Sequence, residues 1–340
     1  MMQGRAGESI KESVKERPSG ILRSVGISLG MVCATLLVLE IFLRICDFRE
    51  LREGVDERSL GYQYDAAIGW MPKPNSTSMV TNARTIHVRH NSLGLRDDEF
   101  HLDDKPTIMF LGDSFVWGLD SEFGERFSDL LKSKIHDYKI LAAGVSGYGN
   151  DQEYLLLQRL WPQVKPAVVV LVFCSENDRQ DNSTNARYEG YHKPYFTVGG
   201  NGQLELHGQP VPLSRLQYFR EVPLVRNLWL ARLAVSIYLK AAHPVLFVPD
   251  PTEKIVGQIR AFVENNGAKF LVALNSRDVQ LIQYLEQSGI PFTSLDGAAF
   301  YPSKSVGGHW TPEGQIFVSE HIFSLLAENR IIPQPDKKSE

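Results

Sequence analysis

The apolar positions fall into two regimes along the chain. Between Ser24 and Leu39 there is no charged side chain, and from Gly20 to Ile45 only Arg23, Glu40 and Arg44 interrupt a stretch of 26 residues. As a helix that stretch would run ~39 Å, more than the ~30 Å of a bilayer's hydrocarbon layer. Glu40 and Arg44 stand one turn apart, so the pair can sit near one interface and partly compensate each other. The pattern predicts one transmembrane anchor over residues 24–45 behind a short polar tail, residues 1–23. Five basic residues precede it (Arg5, Lys11, Lys15, Arg17, Arg23) and four follow it closely (Arg44, Arg49, Arg52, Arg58). That bias favours a cytoplasmic N-terminus and a periplasmic or extracellular remainder.

Residues 46–105 show weak periodicity and read as a stalk with a small extension. Turn signals lie at GWMPKPN and NSLGLRDDE, and TIHVRHN, Thr85 to Asn91, alternates as a strand. From residue 106 short apolar runs alternate with helical periodicity. The runs are Thr107 to Leu111, Lys139 to Gly144, Ala167 to Phe173, Lys269 to Leu274 and Ile290 to Leu295. Helical stretches lie around Glu125 to Ile135, over residues 151–161, and from Pro312 to Glu328, where proline suits the first turn. Strands apolar on both sides and separated by helices predict a parallel sheet covered on both faces, an α/β sandwich over residues 106–330. Right-handed crossovers then gather the loops after Leu111, Gly144, Phe173 and Leu295 at one sheet edge.

Residues 179–249 break this rhythm and read as an insertion. A Gly-rich hairpin, TVGGNGQLELHGQPVP, precedes an apolar stretch from Val222 to Lys240. A lid, a substrate platform and a membrane-facing surface all remain open for it. Residues 331–340 are expected to form a flexible tail.

Composition narrows the chemistry. At 340 residues and 43% hydrophobic content the chain can bury a large core, and its net charge of −4 comes with scattered basic residues, so nucleic acid is not an expected partner. Cys33, Cys46 and Cys174 have no CxxC spacing, which rules out a disulfide framework or a zinc-cysteine site. The histidines form no metal set with acidic residues, and GxxxxGK[ST] is absent from the first turn, so neither metal nor cofactor is expected.

Four loops carry candidate chemistry. In FLGDSFVWG a strand ends at Gly112 and a sharp turn would lift Ser114 to the sheet edge as a nucleophile; as a bland alternative, Asp and Ser cap a helix there. In GVSGYGN the side-chain-free Gly147 can present its N–H to a developing oxyanion. In CSENDRQDN the Asn177 amide offers another donor at the same edge, making an oxyanion hole of the Ser114 N–H, the Gly147 N–H and Asn177. In GGHWTPEGQ the imidazole of His309 sits in a Gly-flanked turn where it can take the proton of Ser114.

Together these loops resemble the SGNH hydrolase superfamily, the GDSL-like esterases and lipases. Gly112-Asp113-Ser114 is similar to its serine block, Gly147 in VSGYG to its glycine block, Ser175-Glu176-Asn177-Asp178 to its Gly-x-Asn-Asp block, and His309 to the histidine of its Asp-x-x-His block. NSLGLRDDE, VSGYGNDQEY and HWTPEG resemble a membrane-anchored bacterial branch associated with cell-envelope or exopolysaccharide functions. The resemblance implies a flavodoxin-like, three-layer α/β/α sandwich with a five-stranded parallel sheet. It further implies an esterase that removes an O-acyl group, acetyl by preference, from a glycan or small ester through an acyl-serine. An acyltransferase resolving the same intermediate with a sugar hydroxyl is one alternative. A non-catalytic envelope or polysaccharide-assembly protein, with such proteins as partners, is another. Two positions depart from the family: Ser175 replaces a glycine, and Val306 stands where the triad acid is expected. Asp296, at the end of the fifth strand, is the candidate replacement; otherwise a Ser114–His309 dyad braced by a backbone carbonyl remains.

Overall fold

The computed structural model describes residues 19–52, 61–188, 190–302 and 308–334. Most of the N-terminal tail, the end of the C-terminal tail and Val306 lie outside the described residues.

Helix α1, Ser19–Cys46, carries the uncharged run, and its Leu22–Cys46 portion is long and apolar enough to cross a membrane, with almost none of it buried in the protein. Two antiparallel hairpins follow, β1 (Tyr62–Asp65) with β2 (Gly69–Pro72) and β3 (Thr77–Thr81) with β4 (Thr85–Arg89). They pack on the central sheet, with Ile68, Trp70, Met71 and Leu95 in one cluster with Met109 and Leu141.

That sheet contains β5 (Thr107–Gly112), β6 (Lys139–Gly144) and β7 (Val168–Phe173). Helices α2 (Ser114–Trp117), α3 (Phe127–Lys134) and α4 (Asn150–Val164) connect them. After β7 come α5 (Asp178–Asn182), the small pair β8 (Ala186–Arg187) and β9 (Tyr191–His192), and the hairpin of β10 (Tyr195–Val198) and β11 (Leu204–His207). Helices α6 (Arg215–Glu221), α7 (Pro223–Asn227) and α8 (Trp229–Ala242) complete the insertion. The chain returns through α9 (Thr252–Asn265), β12 (Lys269–Leu274), α10 (Val279–Ser288), β13 (Phe292–Ser294) and α11 (Pro312–Glu328).

The five strands are all parallel, in the order β13-β12-β7-β5-β6. Alternation along each strand builds the two cores. Met109, Leu111, Val169, Leu171 and Phe173 face α4, α9 and α10, whereas Ile108, Phe110, Val168, Val170 and Val172 face α3 and α11. The result is the three-layer α/β/α sandwich. Its carboxyl edge gathers the loops after β5, β6 and β7.

The apolar stretch 222–240 differs from a continuous helix. It breaks at Leu228, which is extended, and α8 starts anew because the Glu40 carboxylate of α1 accepts from the Trp229 and Leu230 N–H groups, at 3.0 and 2.9 Å. A cap supplied from another helix satisfies donors that the first turn of α8 would otherwise leave without an intrahelical partner.

Candidate active site

Ser114 opens α2. Asp113 caps that helix by accepting from Phe115 N at 2.9 Å, so the sharp turn after β5 is closed by the residue beside the serine. The helix lies directly on the end of β6: a Cβ on Gly144 would meet the Trp117 N at 2.2 Å, so only glycine permits this approach. Ser114 is thereby fixed at the carboxyl edge of the sheet.

His309 reaches the same point from the other end of the sequence. Its carbonyl accepts from Tyr301 N at 2.8 Å, Phe300 bridges Trp310, and Thr311 caps α11 just behind. The imidazole lies against the Phe115 ring, 4.8 Å between centroids, and Phe115 packs in turn on the buried Trp310. His309 Nε2 lies 2.8 Å from Ser114 Oγ. This distance is a hydrogen bond between a hydroxyl and a potential base, the contact that activates a serine.

On the other side of the ring, His309 Nδ1 lies 3.8 Å from Asp120 Oδ2. Asp120 is fully buried and takes the left-handed conformation, φ +65°, which Asp tolerates better than most residues. Its carboxylate accepts from Asn82 Nδ2 at 2.7 Å, Ala83 N at 2.9 Å and Arg84 N at 3.2 Å, all from the turn between β3 and β4. The loop carrying Asp120 is tied from beneath by buried Arg96, which donates to the Trp117, Gly118, Ser121 and His87 carbonyls. Burial, reinforced by Arg126, pulls the Arg96 guanidinium down to about 9. Asp296 is exposed, takes no part in the cleft, and is engaged through its amide with Ser294 Oγ. The carboxylate beside the imidazole thus comes from the loop after α2 rather than from the end of the fifth strand.

Gly147 lines the cleft at φ +83°, and a Cβ there would stand 2.1 Å from the Tyr188 hydroxyl. Asn177 also lines it. Its Nδ2 donates to Asp181 Oδ2 at 2.8 Å and, at the long distance of 3.4 Å, to Asp113 Oδ2. The second N–H of that amide is therefore only weakly held. Beneath it lies a buried group of acids: Asp178 accepts from Cys174 N and Asn150, and Glu153 accepts from Asn150. Burial pushes Asp113, Asp178 and Glu153 above the usual carboxylate range, and Asp181 up to about 7 in spite of Arg187.

The cleft holds about 190 Å³ and is lined by Ser114, Gly147, Asn177 and His309 with Phe115, Leu119, Glu176, Arg187 and Tyr188 among others. Asp120, Glu176, Arg187 and Tyr188 escaped the reading of the sequence. Asp120 lies in a loop with no periodicity, and only its position six residues after the serine and two after a glycine marked the turn. Among the described residues no group of His, Cys, Asp and Glu has the arrangement of a metal site.

No protein-family model and no curated protein matches this chain. Solved structures similar to it include Est24, a carbohydrate acetylesterase from Sinorhizobium meliloti, at 14% identity over 66% of this chain and 100% of that one, with a TM-score of 0.37. A member of the lipolytic protein G-D-S-L family from Veillonella parvula is 11% identical over 64% of this chain and 96% of that one, with a TM-score of 0.37. A GDSL-like lipase from Bacteroides thetaiotaomicron is 13% identical over 67% and 91%, with a TM-score of 0.36.

Proposed function

We propose that the chain is a membrane-anchored serine esterase of the SGNH type that removes a short O-acyl group, acetyl by preference, from a glycan or small ester. The observation that carries this reading is the 2.8 Å contact between Ser114 Oγ and His309 Nε2 in a cleft at the carboxyl edge of the sheet. In the proposed mechanism Ser114 Oγ attacks the acyl carbonyl while His309 Nε2 takes its proton. The oxyanion is held by the Ser114 and Gly147 N–H groups and the weakly held N–H of Asn177. His309 returns the proton to the departing alcohol oxygen, and water then attacks the acyl-serine by the same steps reversed. Asp120, 3.8 Å from Nδ1, favours the imidazolium that forms, the electrostatic part of the third member's role in a triad.

The small cleft supports a short acyl group, since its volume lies below the range of pockets that enclose drug-sized ligands. Its polar lining, with Glu176, Arg187 and Tyr188 at hand, suits hydroxyl-rich alcohol portions such as sugars. The basic bias around α1 supports a periplasmic or extracellular catalytic part.

The test uses the full chain in detergent micelles with p-nitrophenyl acetate and a fluorophosphonate probe. Hydrolysis and labelling should both be present in the native protein and absent in Ser114→Ala. Equal rates in the two proteins, with no label on Ser114, would overturn the assignment.

A further inference from the structure

The insertion carries an apolar face that none of the described residues covers. On α8 the exposed residues Ala234, Ile237, Tyr238 and Ala241 follow each other at spacings of three, one and three, which places them in one stripe along the helix. The stripe continues into Pro244, Val245, Leu246 and Phe247, with Ile237 59% and Phe247 79% exposed. A soluble surface seldom gathers so many apolar side chains on one element.

The start of α8 is fixed at the anchor. Glu40, nearly buried, accepts from the first two N–H groups of α8 and from Arg44 Nε at 2.8 Å, while Arg44 Nη2 donates to the Asn227 carbonyl at 2.6 Å. Buried Arg232 donates to the Leu51 carbonyl at 2.9 Å, just beyond the end of α1. A hydrocarbon layer ~30 Å thick takes ~20 residues of helix, so the stretch ending at Leu39 fills it and Glu40 falls at its boundary. A carboxylate at that depth needs partners, and the N-terminus of α8 provides them. Hence α8 begins at the membrane boundary, with Trp229 at the level where indole rings concentrate.

We propose that the exposed stripe of α8 and the segment 244–247 lie against the lipid surface beside the span, as a second, monotopic membrane contact. Continuity with α1 selects lipid as the occupant, and the exposed Arg226 and Lys240 suit anionic headgroups. The same element leads to the catalytic cleft. Val248 N donates to the Ser183 carbonyl, Leu246 N donates to Asn185 Oδ1, and Phe247 bridges Thr184, shortly before the cleft residues Arg187 and Tyr188. Membrane seating of the insertion therefore holds one wall of the cleft close to the bilayer.

The experiment uses the full chain with Cys33→Ala and Cys46→Ala, which leaves only Cys174, buried out of reach of the label, reconstituted in vesicles of phosphatidylcholine and phosphatidylglycerol. Single cysteines at Ile237, Phe247, Leu36 and Glu328 carry a nitroxide label, read by collision with oxygen and with a water-soluble nickel chelate. Labels at 237 and 247 should resemble the one at 36 in α1, with oxygen collisions raised and nickel collisions several-fold below those at 328, at the opposite edge of the sheet. Nickel access at 237 and 247 equal to that at 328 overturns the proposal. So does shielding that disappears when the lipid-to-protein ratio is raised, which would identify a second copy as the occupant. Nickel access at 36 as well would overturn the anchor and this contact together, whereas esterase activity is unaffected by any of these outcomes.

Discussion

Asp120 Oδ2 stands 3.8 Å from His309 Nδ1, with both side chains buried. The separation is longer than a hydrogen bond but close enough for the carboxylate to favour a charged imidazole. In Asp120→Asn, kcat/KM should fall ~10²–10⁴-fold. The acidic limb of its pH profile should also move to lower pH. The sign follows from the imidazolium: without the carboxylate it is less favoured, so the base stays neutral in more acidic solution. A purely structural role would lower activity without moving that limb. Asn82→Ala, which removes one donor to Asp120 and leaves the carboxylate, should show a smaller loss and an unshifted limb.

Ser114→Ala should leave the fold intact and reduce ester hydrolysis by at least ~10³-fold, measured with the acetate probe under saturating substrate. A circular dichroism spectrum and melting temperature equal to those of the native chain would show that the loss is chemical.

Gly147→Ala should be costly in two ways. The left-handed backbone at this position disfavours a Cβ by about 1–2 kcal/mol, and the new methyl would collide with the Tyr188 hydroxyl inside the cleft. Denaturant unfolding should record the first effect. A loss of about 10–100-fold in kcat/KM should record the second, as Tyr188 and the Gly147 N–H are displaced.

His90 makes the fold sensitive to acid. Burial, with help from Arg96, lowers its imidazole to about 4, against 6.5 for the free side chain. Between those values the unfolded chain binds a proton that the native chain refuses. The stability present above pH ~6.5 is therefore lost as the pH falls towards ~4, by at most about 3 kcal/mol. Urea unfolding at pH 4.5 and 7 should show this loss in the native chain and a smaller one in His90→Gln. Equal losses in both proteins would assign the acid sensitivity to the carboxylates instead.

The central sheet was legible because its strands are uninterrupted apolar runs: Lys139–Gly144 and Lys269–Leu274 occupy the residues that the pattern marks. The last strand is shorter than its run, Phe292–Ser294 instead of Ile290 to Leu295, and pairs with β12 alone. The meeting of Ser114 and His309 at one sheet edge was legible as well, since turns rich in glycine carried them. Asp120 was not, because what makes it an acid beside an imidazole is a contact with a loop near the other end of the chain. The break at Leu228 was hidden for the same reason, for its capping carboxylate belongs to α1. Periodicity reports which way a residue faces within its own element. It carries no information about a partner brought in by the tertiary fold.

The turn between β3 and β4 also determines how the protein can be cut. A fragment starting at residue 106, where the alternating pattern begins, would contain the serine, the histidine and Asp120 itself, yet lack Asn82, Ala83, Arg84 and Arg96. Its acidic loop would then be released into solvent, and the apolar seats of Trp70 and Met71 would lie bare. A truncation series should therefore lose activity in one step between residues 61 and 96, well before the deletion reaches the first strand of the sheet.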